Sequence, residues 1–159
     1  MPLTPLFSAE YPQTGGRGNS LDQPGSPLFM AQGLWTSTVA GVGVASVIKL
    51  PAGTIRIYPQ LSYLLTGDTS VATADLHVGY AAHTNQAGVA VIADDNAFLD
   101  NGDLGGAVLS GVLLLPTVAT SIYTELDSQE GVDITITVDT ANASIGETIQ
   151  LVVAYTKVS

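Results

Sequence analysis

Cysteine is absent from the 159 residues. The chain therefore has no disulfide, no thiolate nucleophile and no cysteine-based metal site, and cysteine usage is silent on redox compartment. Basic residues are nearly absent as well. Arg17, Lys49, Arg56 and Lys157 stand against fourteen carboxylates, giving a formal charge of −10. Binding to nucleic acid requires basic groups that neutralise phosphates and release counterions, and docking on anionic lipid requires the same sign of charge. Neither nucleic acid nor a membrane surface is an expected partner. Long apolar runs are missing too. The longest candidate, Ala107 to Leu115, is interrupted by Ser110 and Gly111 and suits a buried strand, not a membrane span. The N-terminal Met1-Pro2-Leu3-Thr4-Pro5 has neither the basic region nor the apolar stretch of a signal peptide, so a soluble chain not exported by a cleaved signal is expected.

Charge of any sign is scarce. Charged residues are 11% of the chain, against about 25% in an average soluble protein. Hydrophobic residues are 46% and mean hydropathy is +0.36. Disorder requires low hydrophobicity, so the chain has the means to build a core. A lone soluble domain normally wears more charge, so part of this surface is expected to be hidden against copies of itself or a partner.

The first thirty residues are distinct in character. They contain Pro2, Pro5, Pro12, Pro24 and Pro27 together with Gly15, Gly16, Gly18 and Gly25. Proline removes a backbone donor and glycine raises the entropic cost of order, and no helical or alternating period survives there. Apolar anchors nonetheless recur, among them Leu6, Phe7, Tyr11, Leu28 and Phe29. Residues 1–32 are read as an extended arm. It is either a terminus lying on its own domain or a segment that orders against a neighbouring subunit through those five residues.

Residues 33–159 read as strand after strand. Asp133 to Asp139 alternates polar and apolar residues. Thr148 to Tyr155 places Ile149, Leu151, Val153 and Tyr155 on one face, and Leu76, Val78 and Tyr80 share another. Further strands are expected over 33–39, 44–50, 54–57, 60–65, 88–92, 107–115 and 121–126, separated by turn signals such as Pro51-Ala52-Gly53 and Gln129-Glu130-Gly131. Only Ala93 to Leu99 is expected to form a helical turn, because Asp94 and Asp95 suit a helix N-terminus. The fold class is all-β: a jelly-roll-like antiparallel β-sandwich preceded by an extended N-terminal arm.

Chemistry-bearing patterns are sparse. Asp75 and His77 share a strand face and could form an acid–base pair, or simply a solvated pair on a sheet. Asp94, Asp95, Asp100, Asn101 and Asp103 form an acidic stretch expected in a loop. It fails the EF-hand spacing, since counting from Asp94 puts Leu99 where glycine is required. Gly41-Val42-Gly43 lacks the third dinucleotide-binding glycine, and Gly15-Gly16-Arg17-Gly18 lacks the P-loop lysine. Trp35, Tyr58 and Tyr63 could line a carbohydrate platform or lie in the core or an interface. No catalytic set and no cofactor or metal site is expected.

Four short elements, in order, resemble a known family. They are Lys49-Leu50-Pro51-Ala52-Gly53 opening a strand, Val78-Gly79-Tyr80-Ala81 closing another, Asp94-Asp95-Asn96-Ala97-Phe98-Leu99, and a terminal Val152-Val153-Ala154-Tyr155-Thr156. Together they resemble the capsid decoration, or head cement, proteins of tailed bacteriophages. The resemblance spans about residues 33 to 157 and leaves out the arm. It implies a non-enzymatic structural virion protein on the outer capsid surface, binding the major capsid protein and itself as a homotrimer. The alternative is a carbohydrate-binding sandwich module of a phage tail or fibre. Of the charge, the arm carries only Glu10, Asp22 and Arg17, so the acidity belongs to the β domain.

Overall fold

The computed structural model describes residues 27–36, 43–66, 75–103, 110–113, 122–139 and 148–158. Two antiparallel sheets dominate it. The first is built on its longest strand, β12 (Thr148–Val158). Along one side of β12 runs β1 (Phe29–Thr36), from Phe29 opposite Tyr155 to Thr36 opposite Thr148. Along the other side run β3 (Gly53–Ile57) and β4 (Tyr63–Thr66), end to end. Outside these lie β10 (Thr124–Ser128) against β3 and β9 (Ser110–Leu113) against β4. The second sheet has the order β2 (Gly43–Leu50), β11 (Val132–Asp139), β5 (Asp75–Tyr80) and β8 (Asp94–Asp103). A short hairpin, β6 (His83–Thr84) with β7 (Ala90–Val91), is separate.

Alternation explains how the sheets face each other. Ile134, Ile136 and Val138 of β11 are buried together with Leu76 and Val78 of β5, and they meet Ile149, Leu151 and Val153 of β12 in one cluster. Ile48, Leu50, Ile55, Ile57, Leu64, Ala97, Phe98, Leu126 and Val132 belong to it as well. The two sheets are thus a sandwich with one apolar centre. With β3/β4 and β9/β10 each counted as one broken strand, the described residues place four strands in each sheet.

The break between β3 and β4 has a local cause. Pro59 cannot donate to the ladder, and Pro59–Leu61 forms a one-turn 3-10 helix that pushes the strand out. Ser62 closes the gap. Its Oγ accepts from the Ala154 amide at 2.9 Å and donates to the Tyr58 carbonyl at 2.8 Å, so the fully buried hydroxyl replaces a missing ladder partner. On the same face the Tyr58 hydroxyl lies 3.2 Å from Thr156 Oγ1.

Three sequence expectations are corrected. The first strand begins at Phe29, not Gly33, because Phe29 stacks on Tyr155 with ring centroids 5.4 Å apart. Ala93 to Leu99 forms no helical turn: from Asp94 onward it is strand β8. Asp94 Oδ1 does accept from the Asn96 amide at 3.3 Å, as a capping aspartate would, yet the chain continues by pairing with β5 instead of coiling. The acidic stretch is accordingly part of a strand, not a loop. The register between β5 and β8 slips twice, moving from Asp94 to Leu99 while β5 moves only from Tyr80 to Val78. That slack carries the Asp94–Asp95 backbone over Gly79, where a Cβ would overlap the Asp94 carbonyl oxygen. The Gly79-Tyr80 and Asp94-to-Leu99 elements of the resemblance are therefore one packed unit, and Tyr80 tilts against Phe98 within it.

Candidate functional site

The turns 51–52 and 129–131 and the segment 81–93 connect strands at one end of the sandwich. Gly131 has φ +94°, and a Cβ on it would overlap the Leu50 carbonyl oxygen, so this turn is tied to the end of β2. The β6–β7 hairpin docks on it. The Gln129 amide donates to the Thr84 carbonyl at 2.9 Å, and the Gln86 amide donates to Asp127 Oδ2 at 3.2 Å. Its tip is closed by Asn85: its amide donates to the Val89 carbonyl, its carbonyl accepts from the Gly88 amide, and its Oδ1 accepts from the Val89 amide at 2.8 Å. Gly88, at φ +80°, supplies the conformation that the turn requires.

Between hairpin and turn runs a groove of about 350 Å³, lined among others by Lys49, His83, Thr84, Gln129, Glu130 and Asp133. His83 Nδ1 lies 3.1 Å from the Ala81 carbonyl oxygen, so that nitrogen is protonated to make the bond. The lining offers one cation, two carboxylates and amides. These suit hydrogen bonding to a polar surface, and no nucleophile–base pair is built from them. Among the described residues no group of three His, Asp or Glu side chains could hold a metal.

His77, read with Asp75 as an acid–base or solvated pair, has a described partner on another strand. His77 Nδ1 lies 3.2 Å from Asp100 Oδ1 on the neighbouring strand, because β8 brings Asp100 across from β5; the Asp75 side chain lies outside the described residues. Of the three aromatics proposed for a sugar platform, Trp35 packs inward against the core and Tyr58 is buried. Tyr63, like Trp35, is half-buried. Two groups have perturbed ionisation. Burial, and then the nearby Asp94 carboxylate, push the Tyr80 phenol above its ordinary value. Arg56 is held still more firmly protonated by its hydrogen bond to Glu125, 3.1 Å away, while its guanidinium lies 4.7 Å above the Tyr123 ring.

Of the five arm residues expected to bind a partner, Leu6, Phe7 and Tyr11 lie outside the described residues. Leu28 and Phe29 are 52% and 38% exposed, at the entry to β1. They open a longer apolar surface that the strand pattern did not single out. Met30 and Leu34 on β1 and Val44 on β2 are 53%, 66% and 66% exposed, and no ionisable residue occurs from Gln23 to Ile48. Gly33 allows β1 to close on β2, since a Cβ there would overlap the Val47 carbonyl oxygen. A second exposed pair sits on the hairpin: Val89 at 58% and Ile92 at 86%. The signal for both surfaces was available as stretches free of charge.

No family model matches the chain, and no curated protein matches it in sequence. Solved structures do resemble it. One is a chain of the acidic stable capsid structure of the Helicobacter pylori bacteriophage KHP30, at 17% identity and TM-score 0.46, covering 83% of this chain and 89% of that one. Another belongs to the cyanophage Pam1 capsid asymmetric unit, at 18% identity and TM-score 0.48, covering 93% of this chain and 100% of that one.

Proposed function

We propose that this protein decorates and stabilises the outside of a bacteriophage capsid, binding the major capsid protein as a homotrimer. One observation carries the reading: the exposed aliphatic side chains of β1 and β2 lie in a stretch without a single ionisable residue, on a chain of net charge −10. Copies of so acidic a chain repel each other. A surface on which they can meet without apposing carboxylates must be neutral, and this edge is neutral and apolar. The four ordered elements that resemble phage decoration proteins supply the setting. Burial of Leu28, Met30, Leu34 and Val44 against another copy would remove apolar surface that a free monomer leaves in water.

Residues 1–26 precede this edge in the sequence. Their anchors Leu6, Phe7 and Tyr11 carry the contact onward to neighbouring capsid subunits in this reading. Sedimentation equilibrium of the purified protein should give three times the chain mass, and Leu34→Asp should lower it toward one. Removal of residues 1–26 should weaken rebinding to shells that lack the protein. A full-length protein of monomer mass would contradict the trimer, and unchanged rebinding of the truncated chain would contradict the role of the arm.

A further inference from the structure

The hairpin tip has different surroundings from the β1–β2 edge. Ala81 to Ala93 contains no Asp, Glu, Lys or Arg, and the hairpin presents Val89 and Ile92 on either side of β7. Isolated exposed aliphatics are ordinary on protein surfaces. Val89 closes the turn on Asn85, Ile92 follows β7 directly, and the hairpin is docked through Gln86 and Gln129, so little ordering entropy remains to be lost when they are buried. Around the tip carboxylates outnumber cations. Asp94 and Asp95 follow directly in sequence, Asp127 holds the Gln86 amide, and Glu130 and Asp133 line the adjoining groove. Lys49 is the single cation of that groove.

We infer that the β6–β7 hairpin is a plug for a different protein, one that offers an apolar depression rimmed by Lys or Arg. A second copy is a poor occupant, because it would bring its own acidic rim and has only four basic residues in all. The inference rests on the capsid-binding reading and specifies the end of the sandwich that faces the shell. Apolar contact at the tip supplies the affinity, and the carboxylate rim supplies orientation and salt dependence.

The test uses the full chain and capsid shells assembled without this protein, with binding followed by co-sedimentation across a salt series. Val89→Ser with Ile92→Ser should weaken binding about tenfold or more while leaving the solution mass unchanged. Wild-type binding should weaken as salt rises. Asp95→Asn with Glu130→Gln should flatten that dependence. Wild-type affinity in the serine variant would overturn the inference, and so would a loss of self-association, which would make the tip a contact between copies. A salt-independent wild-type affinity would overturn the basic rim. A wild-type protein that fails to bind the shells would overturn the capsid reading itself, and this inference with it.

Discussion

Replacing Ser62 by Ala removes one oxygen from a site with no access to water. In the native fold that oxygen accepts from the Ala154 amide at 2.9 Å and donates to the Tyr58 carbonyl at 2.8 Å. The Tyr58 carbonyl keeps a second donor, the Leu61 amide at 3.0 Å, so it is not stranded. The Ala154 amide is stranded: it sits on a fully buried residue in the middle of β12, and the 3-10 turn at Pro59–Leu61 has displaced the strand that would have paired with it. Leaving a buried donor unpaired costs about 1–3 kcal/mol, and the lost bond to Tyr58 adds little because its acceptor remains satisfied. At about 2–4 °C per kcal/mol for a chain of this size, the melting temperature should fall by roughly 2–12 °C. Urea denaturation read by intrinsic fluorescence, at one fixed protein concentration because any self-association would couple to stability, measures the difference. A change below about 0.5 kcal/mol would refute the view that Ser62 replaces a ladder partner.

Other outcomes follow from the packing. Gly79→Ala should destabilise by at least about 2 kcal/mol, because the added Cβ meets the Asp94–Asp95 backbone and not a movable side chain; a urea midpoint equal to wild type would contradict that close approach. Tyr80, whose phenol is raised by burial and by Asp94, releases its proton first in the unfolded chain. Its contribution is therefore complete below about pH 10 and is lost as pH rises toward the folded value. Tyr80→Phe should show a shallower alkaline loss of stability, and an identical slope would argue against the shift. Because Trp35 packs half-buried against the core, Trp35→Ala should cost about 2–3 kcal/mol in chemical denaturation, below the roughly 3–5 kcal/mol of a fully buried tryptophan, and a negligible cost would return it to the surface.

Much of the sandwich was legible because its central strands alternate cleanly. Ile134, Ile136 and Val138, and Ile149, Leu151 and Val153, fall on the core faces that period two assigns them. The reading failed where the period breaks. In β8 the double slip lets Ala97 and Phe98 both be buried, and two adjacent apolar residues behind two aspartates look like a helix start. The role of Ser62 was invisible because its partner, an amide of β12, is far away in sequence. The interaction surfaces were hidden for a different reason: alternation distinguishes apolar from polar faces, not a core from an interface. Leu34 and Val44 look like any strand residue until their exposure is known, although the charge-free run from Gln23 to Ile48 marked the place. His77 shows the same limit, since its partner Asp100 arrives from another strand.

A chain that coats a capsid must bind the assembled shell. Co-sedimentation of the full-length protein with capsid shells assembled without it is the direct test. Saturable binding is expected, in multiples of three copies per site, with shells that withstand heating better once coated. Protein left in the supernatant at concentrations that saturate authentic particles would contradict it.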